Sequence, residues 1–434
     1  MKFGLSLFLL CVVLPLYGCG AQVPSPGDDD DDDSGGGELF PELDCPEDAG
    51  VFDSTVSLAN DDEVAEFLAS YNEVTGNFGL EGAAITAAPN LGCIRSVGGE
   101  VAIKNTRLEA IDLRSLETVD LSFHLADNQV LRAIAAPNLS SVGLFSVIND
   151  NDLLESIDLS GLELARLSPP TGEDSTHYAF QAEKNWALTE LKLDSLVRTQ
   201  GDFDLNDNDL LVEVRLPSLT HAQGDFRIDN LDSLQLLDAP LLEEVFGEFR
   251  FDHNGATYSL LSEPPSNPMT LHLESLRRIL GRFYFDNNPS VVASDFPVLR
   301  EVGEEFFFRG SIALPSVDFE ELRLVIGDFY FSEAYTIELV NLESLTNVGG
   351  NMTVEFTRLA QSLSAEILED VGGNLQITQN EGLSSLSFDG LTSVGGDLEV
   401  QFNGALADSE VCQLKAQLGE GLTGSFLSNA SCSP

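Results

Sequence analysis

The sequence predicts a mainly β chain folded as a parallel β-solenoid of about 14 coils of 23 residues, with short helical caps at both ends. Three observations carry this expectation. An aliphatic residue, usually followed by Gly-Gly or a polar-Gly pair, recurs at a nearly fixed interval. Each interval opens on a short alternation of apolar and polar residues. Helix-capping patterns stand at the two ends of the periodic region.

The repeat runs through Val74, Val97, Val119, Val142, Thr199, Ala222, Val245, Ile279, Val302, Val325, Val348, Val371 and Val394, and nearly every step is 23 residues. The step to Val119 is 22, the step to Ile279 is 34, and the gap from Val142 to Thr199 splits around Ala165 as 23 plus 34. Two coils therefore carry 11-residue insertions, Ser168 to His177 and roughly Gly255 to Pro268, whose Pro, Gly, Ser and Glu content suits surface loops.

Val371-Gly372-Gly373-Asn374-Leu375-Gln376-Ile377-Thr378 represents one unit. Alternation points Leu375 and Ile377 inward and Asn374, Gln376 and Thr378 outward, and a second short strand follows near Leu386 and Phe388. One unit cannot bury its own apolar side, whereas stacked copies share a continuous core. At about 4.8 Å per strand, fourteen coils make a body on the order of 65 Å long.

Three segments make up the folded region: an N-terminal cap at 45–73, coils at 74–405 and a C-terminal cap at 406–434. Asn60 and Glu63 form a capping-box pattern ahead of Val64, Phe67 and Leu68. Ser409 is expected to cap a second helix whose face carries Val411, Leu414 and Leu418.

Ahead of this region, Lys2 and the apolar run from Phe3 through Tyr17 make residues 1–18 a signal peptide, too short for a membrane span. Leu16-Tyr17-Gly18-Cys19 resembles the bacterial lipoprotein lipobox, with Tyr17 where a small or aliphatic residue is usual. The resemblance implies that Cys19 carries acyl groups, and Gly20 after it implies sorting to the outer membrane. The expectation is an exported lipoprotein of the outer membrane or cell surface, held to the membrane through its lipid alone. Residues 19–44 hold Pro24, Pro26, the run Asp28 to Asp33 and Ser34-Gly35-Gly36-Gly37, which reads as a disordered, self-repelling tether.

With Cys11 in the signal peptide and Cys19 lipidated, Cys45, Cys93, Cys412 and Cys432 are left. An even number in an oxidising compartment reads as disulfides, with three possible connectivities. Pairing Cys45 with Cys93 and Cys412 with Cys432, two at each end, is the simplest.

Against 72 Asp and Glu stand only 21 Lys and Arg, a net charge of −51 that opposes nucleic acid and anionic lipid. His124, His177, His221, His253 and His272 are scattered without metal-ligand spacing and are expected at the solvated surface. The Val-Gly-Gly units lack the following helix of a phosphate loop, no Gly-x-Ser-x-Gly elbow occurs, and no nucleophile is evident. The expectation is no catalysis, no cofactor and no metal.

Asn128, Asn151, Asn185, Asn208, Asn254, Asn288 and Asn380 fall in register after the first strand of their coils, as an internal asparagine ladder would. The competing reading is calcium, for which Asn149-Asp150-Asn151-Asp152 and Asn206-Asp207-Asn208-Asp209 supply oxygens.

The units, such as Val394-Gly-Gly-Asp-Leu398-Glu-Val400-Gln-Phe402-Asn403, resemble the receptor L-domain family, relatives of leucine-rich repeats, over roughly residues 45 to 432. This resemblance implies a right-handed parallel β-helix and extracellular binding of a macromolecule. It transfers no catalytic residue.

The outward position five residues after each repeat start reads Asp204, Arg227, Arg250, Tyr284, Phe307, Tyr330, Thr353, Gln376 and Glu399. Three successive aromatics beside two cations, on an acidic body, make Arg227, Arg250, Tyr284, Phe307 and Tyr330 the candidate binding residues for a protein loop or a glycan. Stacked aromatics that merely brace adjacent strands are the competing explanation. The function expected first is ligand binding through this face. A structural or adhesion role comes next, then a polysaccharide-acting enzyme.

Overall fold

The computed structural model describes residues 40–165, 178–255, 267–337, 339–358 and 360–432. The signal segment, Cys19, nearly all of the tether and most of both insertions lie outside the described residues. Each coil contributes up to three short strands. Among the described residues, two-residue strands such as Asn347–Val348 form one 15-stranded parallel sheet, and longer strands such as Met352–Glu355 form a 16-stranded one. On the third side, strands such as Ser362–Ser364 make sheets of four and eight strands. Pairing is in register, so Met352 lies beside Leu375 and Thr353 beside Gln376.

Register puts like on like. The repeat-start column from Val74 to Val394 is buried throughout. Behind the long strands, Phe180, Phe203, Phe226, Phe249, Phe283, Phe306 and Phe329 form a column of rings stacked 4.7–5.8 Å apart. A second column runs Phe251, Phe285, Phe308, Phe331. Phe296 and Phe319 meet the first column edge-on, at 85° to Phe283 and 86° to Phe306. Each fully buried ring contributes roughly 2–3 kcal/mol of hydrophobic free energy, with offset and edge contacts adding to it.

Both turns flanking the long strand are held by side-chain ladders. At its start, the Asn351 amide donates to Asp328 Oδ1 (2.7 Å), the Asn374 amide to Asn351 Oδ1 (2.9 Å) and the Asp397 amide to Asn374 Oδ1 (2.7 Å). The glycine pair is required here because the coils approach closely: a Cβ on Gly349 would lie 2.1 Å from the Ile326 carbonyl oxygen, and one on Gly350 2.1 Å from Asp328 Oδ1.

At the strand's end the asparagine ladder is present and buried. Asn128 donates from its amide and its Nδ2 to Asn151 Oδ1, both at 3.1 Å, and its Nδ2 also reaches the Ile103 carbonyl (3.0 Å). Asn151 repeats this on Asn185, and Asn185 on Asn208. Further along, the Asn254 amide donates to Asn288 Oδ1 (3.1 Å). In the two Asn/Asp runs, Asn151 and Asn208 are buried in this ladder, and Asn206 Oδ1 accepts from Asn230 Nδ2 (3.0 Å). Among the described residues no cluster of His, Cys, Asp and Glu is placed to hold a metal.

Both caps are more than helices. The first helix, α1 (Asp61–Leu68), buries Val64, Phe67 and Leu68. Asn60 Oδ1 accepts the Glu63 amide (3.1 Å), while the Glu63 carboxylate takes the Ala59 amide (2.8 Å), one residue earlier than the pattern predicts. Strands Gly50–Phe52 and Val56–Leu58 already extend both long sheets. At the other end, α2 (Asp408–Leu418) buries Val411, Leu414 and Leu418. It starts after Ala407 with no side-chain cap, and Ser409 sits inside its first turn, so the expected serine cap is not made. The Asp408 carboxylate instead holds the Ser431 amide (3.1 Å), and Phe426–Ser428 adds a last strand. Disulfides join Cys45 to Cys93 and Cys412 to Cys432, stapling both ends as the simplest pairing predicts.

Replacing Asn185 by Ala strips the partners from the Asn151 amide and the Ile148 carbonyl. Buried unsatisfied groups of this kind cost on the order of 1–3 kcal/mol each, so Asn185→Ala is expected to lose about 2–4 kcal/mol, read as a lowered urea midpoint. A shift smaller than that of an exposed serine-to-alanine control such as Ser70→Ala would mean that the ladder is not holding the turn.

Candidate functional site

The outward row of the 16-stranded sheet is continuous. Backbone register sets Asp204 beside Arg227, then Arg250, Tyr284, Phe307, Tyr330 and Thr353 in successive coils. All five candidate residues therefore come together on one face, and all are half-buried. Alternation explains the placement, because Phe283, Phe285, Phe306, Phe308, Phe329 and Phe331 occupy the inward positions.

The three rings lie face to face. Tyr284 and Phe307 have centroids 4.8 Å apart and planes 9° off parallel; for Phe307 and Tyr330 the values are 4.9 Å and 12°. Arg250 covers the free face of Tyr284 at 4.7 Å, and Arg309 stands 5.5 Å from the Phe307 centroid. Each phenol is tied as well, Tyr284 Oη donating to Asp286 (3.2 Å) and Tyr330 Oη to Glu355 (2.8 Å). The aromatics form a rigid ridge that presents ring edges to solvent.

Around the ridge lies a charge lattice that the sequence row alone leaves out. Arg227 pairs with Asp202 (3.4 Å), Asp225 and Glu248 (3.8 Å). Arg250 pairs with Asp229 (2.9 Å) and Asp252 (2.6 Å), Arg282 with Glu248 (3.1 Å), and Arg309 with Asp286 (2.6 Å). These partners sit two residues before or after the row on the same side of each strand. The period-2 rule could have found them by reading neighbouring columns.

Two members depart from an exposed acidic surface. Asp204 is only 7% exposed, and burial pushes its carboxyl up to about 6, against the pull of Arg227. Asp229 is pushed up to about 7, again by burial first, although Arg250 lies 2.9 Å away. Its Oδ1 is buried with no hydrogen-bond partner among the described residues, so desolvation outweighs the ion pair. His124, expected at the solvated surface, is half-buried on the same sheet, and burial lowers its pKa.

No protein-family model matches the chain, and a search of curated proteins finds no match. Among solved structures, the chain is similar to a leucine-rich repeat protein from Bacteroides ovatus, at 10% identity and a TM-score of 0.28, over 87% of this chain and 92% of that one. It is also similar to a chain of the TLR13–ssRNA13 complex, at 12% identity and a TM-score of 0.17, over 88% of this chain and 74% of that one.

The raised carboxyls fix the sign of a pH effect. A folded-state value near 7 for Asp229, against about 3.9 unfolded, means that the fold favours the protonated carboxyl. That contribution is whole below about pH 4 and is lost as pH rises through 7. Asp229→Asn is expected to flatten the fall in unfolding midpoint between pH 5 and 8. An unchanged slope would show that Asp229 ionises as an ordinary surface carboxylate.

Proposed function

We propose that this chain is an exported, non-catalytic binding protein, tethered through a lipid on Cys19 to the outer membrane or cell surface, whose strand face recognises an extracellular protein loop or glycan. The observation that carries the binding reading is the aromatic ridge framed by Arg227 and Arg250. Half-buried rings fixed by stacking lose little entropy on contact, and paired arginines present directed donors, which is the composition of binding hot spots. Export is supported by two disulfides, which form and persist in an oxidising compartment. No helix among the described residues is long and apolar enough to cross a membrane. The binding reading involves no cofactor, no metal and no nucleic acid, the last because the chain carries a charge of −51.

A structural or adhesion role is the second reading, favoured by one observation: the ring faces are already occupied by one another and by Arg250. The two are separated by a pull-down of extracellular proteins and glycans with the full-length chain, against the variant Tyr284→Ser, Phe307→Ser, Tyr330→Ser. Binding through the ridge predicts a partner whose affinity falls at least about tenfold, near 1.4 kcal/mol, while circular dichroism stays unchanged. Equal recovery by both chains would favour the structural role.

A further inference from the structure

A second concave surface lies at the turn that ends each long strand. The residue just ahead of the ladder position there has left-handed backbone in coil after coil, with φ of +55° at Asn230, +52° at His253, +47° at Asn287, +52° at Glu333 and +58° at Gln379. Asn, Asp and Gly tolerate this conformation, and bulky side chains are rare in it. Among the described members of this column, two are apolar. Phe356 (φ +54°) and Phe402 (φ +57°) occupy the same column, one coil either side of Gln379.

Neither ring is used by the core. Phe402 is 62% exposed, the most of any large apolar side chain among the described residues, and Phe356 is half-buried. Strained backbone that gains little burial points to a role outside folding. Both rings, with Tyr335, line a cleft of about 560 Å³. The cleft is continued at Tyr335 by a second one of about 550 Å³ that follows the same edge back to Asn230.

Its polar lining is Arg358, Gln379 and Glu381. No hydrogen bond or ion pair engages these three side chains among the described residues. Every other described arginine from position 200 onward is ion-paired, in a chain with 72 acidic residues. The cleft thus offers a guanidinium that donates, a carboxylate that accepts and an amide that does both, between apolar ring faces.

We propose that this edge cleft binds a neutral glycan chain lying along the coil stack. A pyranose presents an apolar C–H face that packs on a ring and a rim of hydroxyls that both donate and accept, which matches this lining group for group. Phe356 and Phe402 lie two coils apart, on the order of 10 Å at 4.8 Å per strand, a span comparable to a disaccharide unit of an extended chain. Net charge selects against polyanions, since a single arginine faces a body of −51. The site is separate from the aromatic ridge and does not depend on it.

The test is affinity electrophoresis of the full-length chain through gels holding soluble β-glucan, xylan, mannan or dextran, with alginate as the polyanionic control. Retardation by at least one neutral polymer and none by alginate is expected. The variant Phe356→Asn, Phe402→Asn removes the rings while supplying residues that accept left-handed backbone, so its melting temperature should hold or rise as its affinity falls at least tenfold. The ridge variant Tyr284→Ser, Phe307→Ser, Tyr330→Ser should be retarded like the parent. Absence of retardation by every neutral polymer, retardation by alginate alone, or retardation untouched by the double Asn variant would overturn the proposal. So would a marked loss of stability in that variant, which would make the phenylalanines structural, or loss of retardation in the ridge variant alone.

Discussion

Everything in this molecule depends on one constraint: successive coils pair backbone to backbone in register, at a single strand spacing. Each side chain then sits directly over its counterpart one coil away. Apolar side chains gain from that arrangement, and the stacked phenylalanines from Phe180 to Phe329 are its fullest expression. Neutral amides gain as well, because an amide is at once donor and acceptor and can be handed from coil to coil without end. Asn128, Asn151, Asn185 and Asn208 do this inside the turn, and Asn351 and Asn374 do it outside.

Charges do not tolerate the same repetition. Like carboxylates stacked at strand spacing repel, and the chain carries 72 of them against 21 cations. On the strand face the solution is interleaving: Arg227 and Arg250 bridge carboxylates from their own and neighbouring coils, Arg282 bridges Glu248 and Glu305 of the coils on either side, and Arg309 pairs with Asp286 of the coil before it. Where the lattice is most buried, desolvation and neighbouring carboxylates raise the carboxyls of Asp204 and Asp229, so that they take up protons at higher pH than surface carboxylates do. The lattice flanks the aromatic ridge, with Arg250 and Arg309 belonging to both.

Departures from the repeat are therefore informative. A column at the solvent edge that other coils fill with polar residues or glycine, and that two coils fill with an apolar ring at a conformational cost, is under a demand that the fold does not impose. Phe356 and Phe402 are such positions. The ridge residues differ in kind: they also break the row, but their faces are satisfied within the structure, so only their edges are available to a partner.

The sequence by itself determined the solenoid, its coil length, the buried repeat-start column, the asparagine ladder and the identity of the ridge, because a strict period converts spacing directly into stacking. It also pointed to the disulfide pairs, since two cysteines stand at each end of the stack. Only the tertiary structure decided what lies beside what across columns. Arg250 reaches Asp229 in the next column through side-chain length and direction, which a period does not encode. The burial of Asp229 Oδ1 beside Arg250 is a matter of packing, and the edge cleft depends on a left-handed turn whose residues follow no hydrophobic pattern. At α2 the helix starts one residue ahead of the expected serine cap, and the Asp408 carboxylate holds Ser431, a contact 23 residues away that no local capping rule contains.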